Sequence, residues 1–142
     1  LPTGELAEVE GTMMDFRESK QIGRDIDKPF RAIIDGIGYD NNFCLYKKDF
    51  TLQEAAVLEH KESGRVLEVY TDLPGIQLYC GGWLAKQGNP GKANGKVTYR
   101  RGAALETQFY PDTVHFPDVF PSRFVKANEE FKTTTEFRFS VK

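Results

Sequence analysis

The chain has 142 residues, enough for one domain with a real core. Hydrophobic residues at 39% and charged residues at 28% exclude a disordered chain, and a net charge of −2 without a basic block makes nucleic acid and anionic membrane poor partners. Eleven Phe, six Tyr and one Trp, with plentiful Thr and Val, lean towards β structure, and no apolar run is long enough to span a membrane as a helix.

In residues 1–20 the apolar positions Leu6, Val9 and Met13 do not keep a helical spacing for long, so short extended pieces joined by glycine turns are expected. The chain opens on Leu1-Pro2-Thr3-Gly4 without a methionine or a signal-peptide pattern, and reads as the middle of a longer protein. A helix of one or two turns fits around Asp25 to Ile34, interrupted by Pro29. Gly36 to Asn42, rich in Gly and Asx residues, reads as a loop, and Phe43-Cys44-Leu45-Tyr46 as a buried strand ended by Lys47-Lys48-Asp49.

Gln53 to His60 is assigned to a strand with Ala56 and Leu58 inward. Its helix formers leave a helix open, but Glu62-Ser63-Gly64 turns directly into Arg65–Thr71 and makes a hairpin. Asp72-Leu73-Pro74-Gly75 is a turn. In the next strand, Ile76, Leu78 and Cys80 take one face, Gln77 and Tyr79 the other. Residues 85–95 read as a surface loop, and Lys96 to Arg100 has the pattern to begin a strand.

The stretch Ala103–Tyr110 follows. Leu105, Thr107 and Phe109 share one face; Ala104, Glu106, Gln108 and Tyr110 share the other, and Pro111-Asp112 ends the strand. The prolines of Thr113–Ser122 make an irregular, aromatic-packed segment. Phe131 to Val141 has the cleanest period of two in the chain, with Phe131, Phe137, Phe139 and Val141 on its apolar face. Short strands separated by turns, without a long helix, predict an all-β sandwich or barrel.

No dinucleotide loop is present, because Gly36-Ile37-Gly38 lacks the third glycine and the following helix. His60 and His115 are far apart and neither cysteine has a CxxC partner, so no metal site is expected. Cys44 and Cys80 sit in apolar runs and read as buried free thiols, with a disulfide or a Cys–His pair as the alternatives. Polar groups beside aromatic rings remain: Asp40, Gln77 and Glu106. Acceptors of this kind bind sugar hydroxyls while rings cover the C–H faces. On these residues alone an Asx-turn for Asp40 and a solvated strand face for Gln77 are the plainer readings, and a solvated face for Glu106 is equally open.

Several motifs together resemble the aldose 1-epimerase (galactose mutarotase) family, closest to its animal forms and to its C-terminal half. They are Leu1-Pro2-Thr3-Gly4-Glu5, Gly38-Tyr39-Asp40-Asn41-Asn42-Phe43-Cys44-Leu45, Ser63–Thr71, Pro74-Gly75-Ile76-Gln77-Leu78-Tyr79, Leu105-Glu106-Thr107-Gln108 with Pro111-Asp112, and Phe120-Pro121. The resemblance implies that residues 1–142 are the C-terminal portion of a large β-sandwich. It implies interconversion of the α and β anomers of free hexoses such as galactose or glucose, without a cofactor or metal. It places the general base on Glu106 and the sugar-binding aspartate and glutamine on Asp40 and Gln77. The acid histidine, a second histidine and an arginine belong to the family's N-terminal half, so that part of the protein is the expected partner; the expected compartment is the cytoplasm. Asn41 stands where the family has His, and Gly81-Gly82 where it has Gly-Asn. A hexose-phosphate epimerase using Arg100-Arg101, or a sugar-binding module without catalysis, remain the alternatives.

Overall fold

The computed structural model describes residues 3–45, 49–84, 91–92, 95–121 and 124–142. Among these residues a 3-10 turn, Ile22–Arg24, and one short helix, α1 (Arg31–Gly36), precede six strands: β1 (Asp40–Cys44), β2 (Gln53–His60), β3 (Arg65–Thr71), β4 (Gly75–Tyr79), β5 (Ala104–Gln108) and β6 (Thr135–Val141). The strands form two three-stranded sheets, ordered β1-β4-β5 and β2-β3-β6. The chain is all-β, as its alternating sequence predicts.

The β2–β3 hairpin runs antiparallel from His60 opposite Arg65 to Gln53 opposite Thr71, with one irregularity between Glu54 and Ala56. β6 pairs with the far side of β3, antiparallel from Thr71–Thr135 to Arg65–Val141. β6 is shorter than its alternation suggests, because its partner strand turns away after Thr71. The Thr134 N–H donates instead to the Asp72 carboxylate at 2.8 Å, and the Asp72 N–H to Thr134 O at 3.2 Å. The apolar face of β6 lies open: Phe139 is 78% and Val141 73% exposed.

The chain packs as two compact units. In the one formed by residues 42–76 and 107–142, Val66, Val69, Leu73, Ile76 and Phe120 are buried. Burying each such side chain stabilises by about 1.5–3 kcal/mol. Thr71 is buried with them and is satisfied there: its Oγ1 accepts the Leu73 N–H at 3.1 Å and meets Thr135 Oγ1 at 3.2 Å. In the other unit, residues 3–41 and 77–106, the core is Met14, Ile26, Ile33, Tyr39, Leu78 and Cys80. Tyr39 is fully buried and donates its hydroxyl to Met13 O at 2.9 Å.

Some expectations need correction. The helix lies after Pro29 rather than across it, since proline fits no helix interior, and it continues to Gly36. Asp40, Asn41 and Asn42 belong to β1, not to a loop. Lys96–Arg100 does not begin a strand: Tyr99 and Arg100 form a turn, with Arg100 at φ 53°. Most of the expected loop at 85–95 and the expected strand end at Tyr46-Lys47-Lys48 lie outside the described residues.

Candidate active site

Asp40, Gln77 and Glu106 come from three different strands of one sheet, β1, β4 and β5, with β4 in the middle. All three fall in the unit of residues 3–41 and 77–106. Gln77 is half-buried between the buried Ile76 and Leu78, as the alternation of β4 requires. Its Nε2 donates to Asp40 Oδ1 at 2.7 Å, which fixes the two side chains against each other. Glu106 is the exposed residue of β5, flanked by half-buried Leu105 and Thr107. Among the described residues no hydrogen bond or ion pair holds its carboxylate. A carboxylate in mid-strand with solvent around it can accept a proton without first breaking an ion pair.

Asp40 reaches β4 from an unusual turn. Ile37, directly after α1, has φ 55° and ψ 41°, a left-handed conformation that costs a β-branched residue about 1–2 kcal/mol. The turn is closed by Ile37 N–H to Ile34 O at 3.2 Å and Gly38 N–H to Ile33 O at 2.9 Å, a Schellman pattern with isoleucine at the position glycine usually takes. Tyr39 O then accepts the Cys80 N–H at 2.9 Å, which begins the β1–β4 ladder. Gly82 packs under this turn: a Cβ there would sit 2.5 Å from Ile37 O and 2.6 Å from Gly36 O. No side chain fits at position 82 with the turn where it is, which gives the Gly81-Gly82 sequence a physical reason. Asn41, by contrast, uses its side-chain oxygen locally, accepting the Asp40 N–H at 3.3 Å.

A second polar cluster lies in the other unit. Gln108 Nε2 donates to Asn42 Oδ1 at 3.1 Å. Gly75 makes the approach possible: a Cβ there would lie 2.5 Å from Asn42 Oδ1 and 3.1 Å from a ring carbon of Tyr110. The sequence singles out Gln108 by its face but gives no sign of its partner Asn42, 66 positions away.

Arg100 is not available to a phosphate. Its guanidinium donates twice to Ile37 O, at 3.2 and 3.1 Å, and pairs with Asp27. The two cysteines are free; Cys80 is buried, and burial pushes its thiol up to about 11, so it is a poor nucleophile. His115 is exposed and bonds Asp112 Oδ1 through Nδ1 at 2.5 Å, a local contact across one turn. Among the described residues no three His, Cys, Asp or Glu side chains cluster as metal ligands, and no helix is long and apolar enough to cross a membrane.

The sequence model of the family described as aldose 1-epimerase matches residues 1–138. Galactose mutarotases from Bos taurus and Homo sapiens are each 42% identical over 142 residues, covering 99% of this chain and 39% of their own length. Aldose 1-epimerase from Escherichia coli (strain K12) is 32% identical, covering 98% of this chain and 40% of its own. The chain thus spans about two-fifths of the length of the curated relatives it matches. A match this continuous, over an all-β chain, establishes that the chain belongs to the aldose 1-epimerase family.

Proposed function

We propose that this chain carries the general base and two sugar-binding groups of an aldose 1-epimerase acting on free hexoses such as galactose and glucose. In this reading Glu106 removes the proton from the anomeric hydroxyl. An acid histidine protonates the ring oxygen, the C1–O5 bond opens, and the aldehyde end rotates. Reclosure on the other face returns both protons, so no net proton, oxidant or cofactor is consumed. Asp40 accepts hydrogen bonds from sugar hydroxyls, and Gln77 binds the sugar beside it while holding Asp40 in place. General acid–base catalysis of this kind contributes about 10²–10⁴-fold.

The observation that carries the reading is the 2.7 Å bond between Gln77 and Asp40, which couples the two groups in a chain of this family. The acid histidine and further sugar ligands are assigned to an N-terminal part of the same protein, of which residues 1–142 are the C-terminal portion of one β-sandwich. The apolar face of β6, with Phe137, Phe139 and Val141 in solvent, supports a further layer there. The two free thiols suit a reducing, cytoplasmic compartment.

Polarimetry of the complete polypeptide on α-galactose and on glucose 6-phosphate tests this. Faster mutarotation of the free sugar, with little acceleration of the phosphate, is the expected result. Calorimetric sugar binding without any acceleration would replace the enzyme by a binding module.

A further inference from the structure

We infer that Arg100 is a positioning residue for sugar binding: it clamps the left-handed turn at Ile37 and thereby sets where Asp40 stands. The inference rests on the reading of Asp40 as a sugar ligand. Arg100 lies 63 positions from Ile37 and is not on a strand, yet only 18% of its side chain is exposed. Nε and Nη2 both donate to Ile37 O, Nη2 also reaches Ile26 O at 3.5 Å, and Nη1 pairs with Asp27. Its own N–H donates to Gly81 O at 3.3 Å, and its backbone, at φ 53°, is itself left-handed. Two unfavourable backbone conformations are therefore joined by one fork of hydrogen bonds. Such conformations persist only where the surroundings over-determine them.

The location explains the arrangement. The carbonyls at the end of α1 carry partial negative charge, and a guanidinium answers it with two donors held in one plane and converging on Ile37 O, a fixed fork that a lysine lacks. Only Gly38 and Tyr39 separate Ile37 from Asp40. Tyr39 is pinned by its hydroxyl to Met13 O and by its carbonyl to the Cys80 N–H. Gly36 packs so closely on Asp40 that a Cβ on it would lie 3.0 Å from the Asp40 Cβ. The segment has no slack, so a shift of the Ile37 carbonyl is passed to the Asp40 carboxylate and to its bond with Gln77. The clamp acts on a binding group and not on the proposed base. Its loss should weaken sugar binding and spare the chemical step.

The test is steady-state mutarotation in the complete polypeptide bearing Arg100→Ala, with Arg100→Lys beside it. The expected result is a KM for galactose raised about tenfold by Arg100→Ala, with kcat within about twofold of the parent. Arg100→Lys, keeping the charge but not the fork, should raise KM by at least about threefold. A purely structural role would instead lower the active fraction, reducing apparent kcat at constant KM. That pattern, or an unchanged KM in either variant, overturns the inference; if Arg100→Ala does not fold, Arg100→Lys decides alone. The functional reading fails separately, by absence of mutarotation in the unmutated protein.

Discussion

Replacing Gly75 by alanine puts a methyl group into the gap where Asn42 and Gln108 meet. The added carbon would lie 2.5 Å from Asn42 Oδ1, 3.1 Å from Asn42 Nδ2 and 3.1 Å from Tyr110. Asn42 must move, and its bond from Gln108 is lost with it. Overpacking of this kind costs about 1–3 kcal/mol and the hydrogen bond about 1 kcal/mol. Alanine returns about 0.5–1 kcal/mol by restricting the unfolded chain. The net expectation is a destabilisation of about 2 kcal/mol. Urea denaturation of the complete polypeptide reads it as a lower midpoint at constant slope. The cause can be isolated by a double-mutant cycle with Asn42→Ala, which removes the obstructing side chain and the same hydrogen bond. The double variant should then be at least about 1 kcal/mol more stable than the sum of the two single effects. A Gly75→Ala protein within about 0.5 kcal/mol of the parent, or strict additivity, would refute the close-approach reasoning.

Alkaline stability should be limited by Tyr39, whose phenol is pushed up to about 12, first by burial and then by the Asp25 carboxylate. The unfolded phenol ionises near 10, so the unfolded state loses its proton first. The contribution is full below about pH 10 and is lost as pH rises towards about 12. Denaturant midpoints measured from pH 9 to 12 should fall along this limb, and Tyr39→Phe should flatten it. Lys20→Ala should cost about 3 kcal/mol, because Lys20 and Asp25 form a pair with side chains only 4% and 8% exposed. Arg24 still faces Asp25 at 2.8 Å and keeps the loss at the lower end of that class. The Arg31–Asp35 pair, 87% and 56% exposed, is the contrast: Arg31→Ala should change stability by less than about 0.5 kcal/mol in the same melts.

The parts of the fold that follow a local rule are legible in the sequence. The hairpin from Gln53 to Thr71 follows from two alternating runs about a glycine turn, and the observed strands have those limits. In β4 the buried Ile76 and Leu78 alternate with Gln77 and Tyr79 as written in the sequence, and the buried Cys80 follows directly after the strand. What is not legible depends on partners distant along the chain. Asp40-Asn41-Asn42 has loop composition, yet it is a strand because the adjoining β4 supplies its hydrogen bonds, and strand propensity yields to such pairing. β6 begins only at Thr135 because its partner β3 ends at Thr71, which no alternation in β6 records. Arg100 reads in sequence as a strand-end charge; its contact with Ile37 spans 63 positions and leaves no local pattern. At the candidate site, alternation gives the faces of Gln77 and Glu106, while their roles come from the family resemblance.

The most direct test of the account is Glu106→Gln in the complete polypeptide, assayed by polarimetry on α-galactose with sugar binding measured by calorimetry. Glutamine keeps the shape of the side chain and removes its capacity to take a proton. The account predicts a fall in kcat of about 10²–10⁴-fold with the dissociation constant for galactose changed by less than about threefold. Turnover close to that of the unmutated protein would contradict it, and Glu106 would then be an ordinary exposed carboxylate on β5.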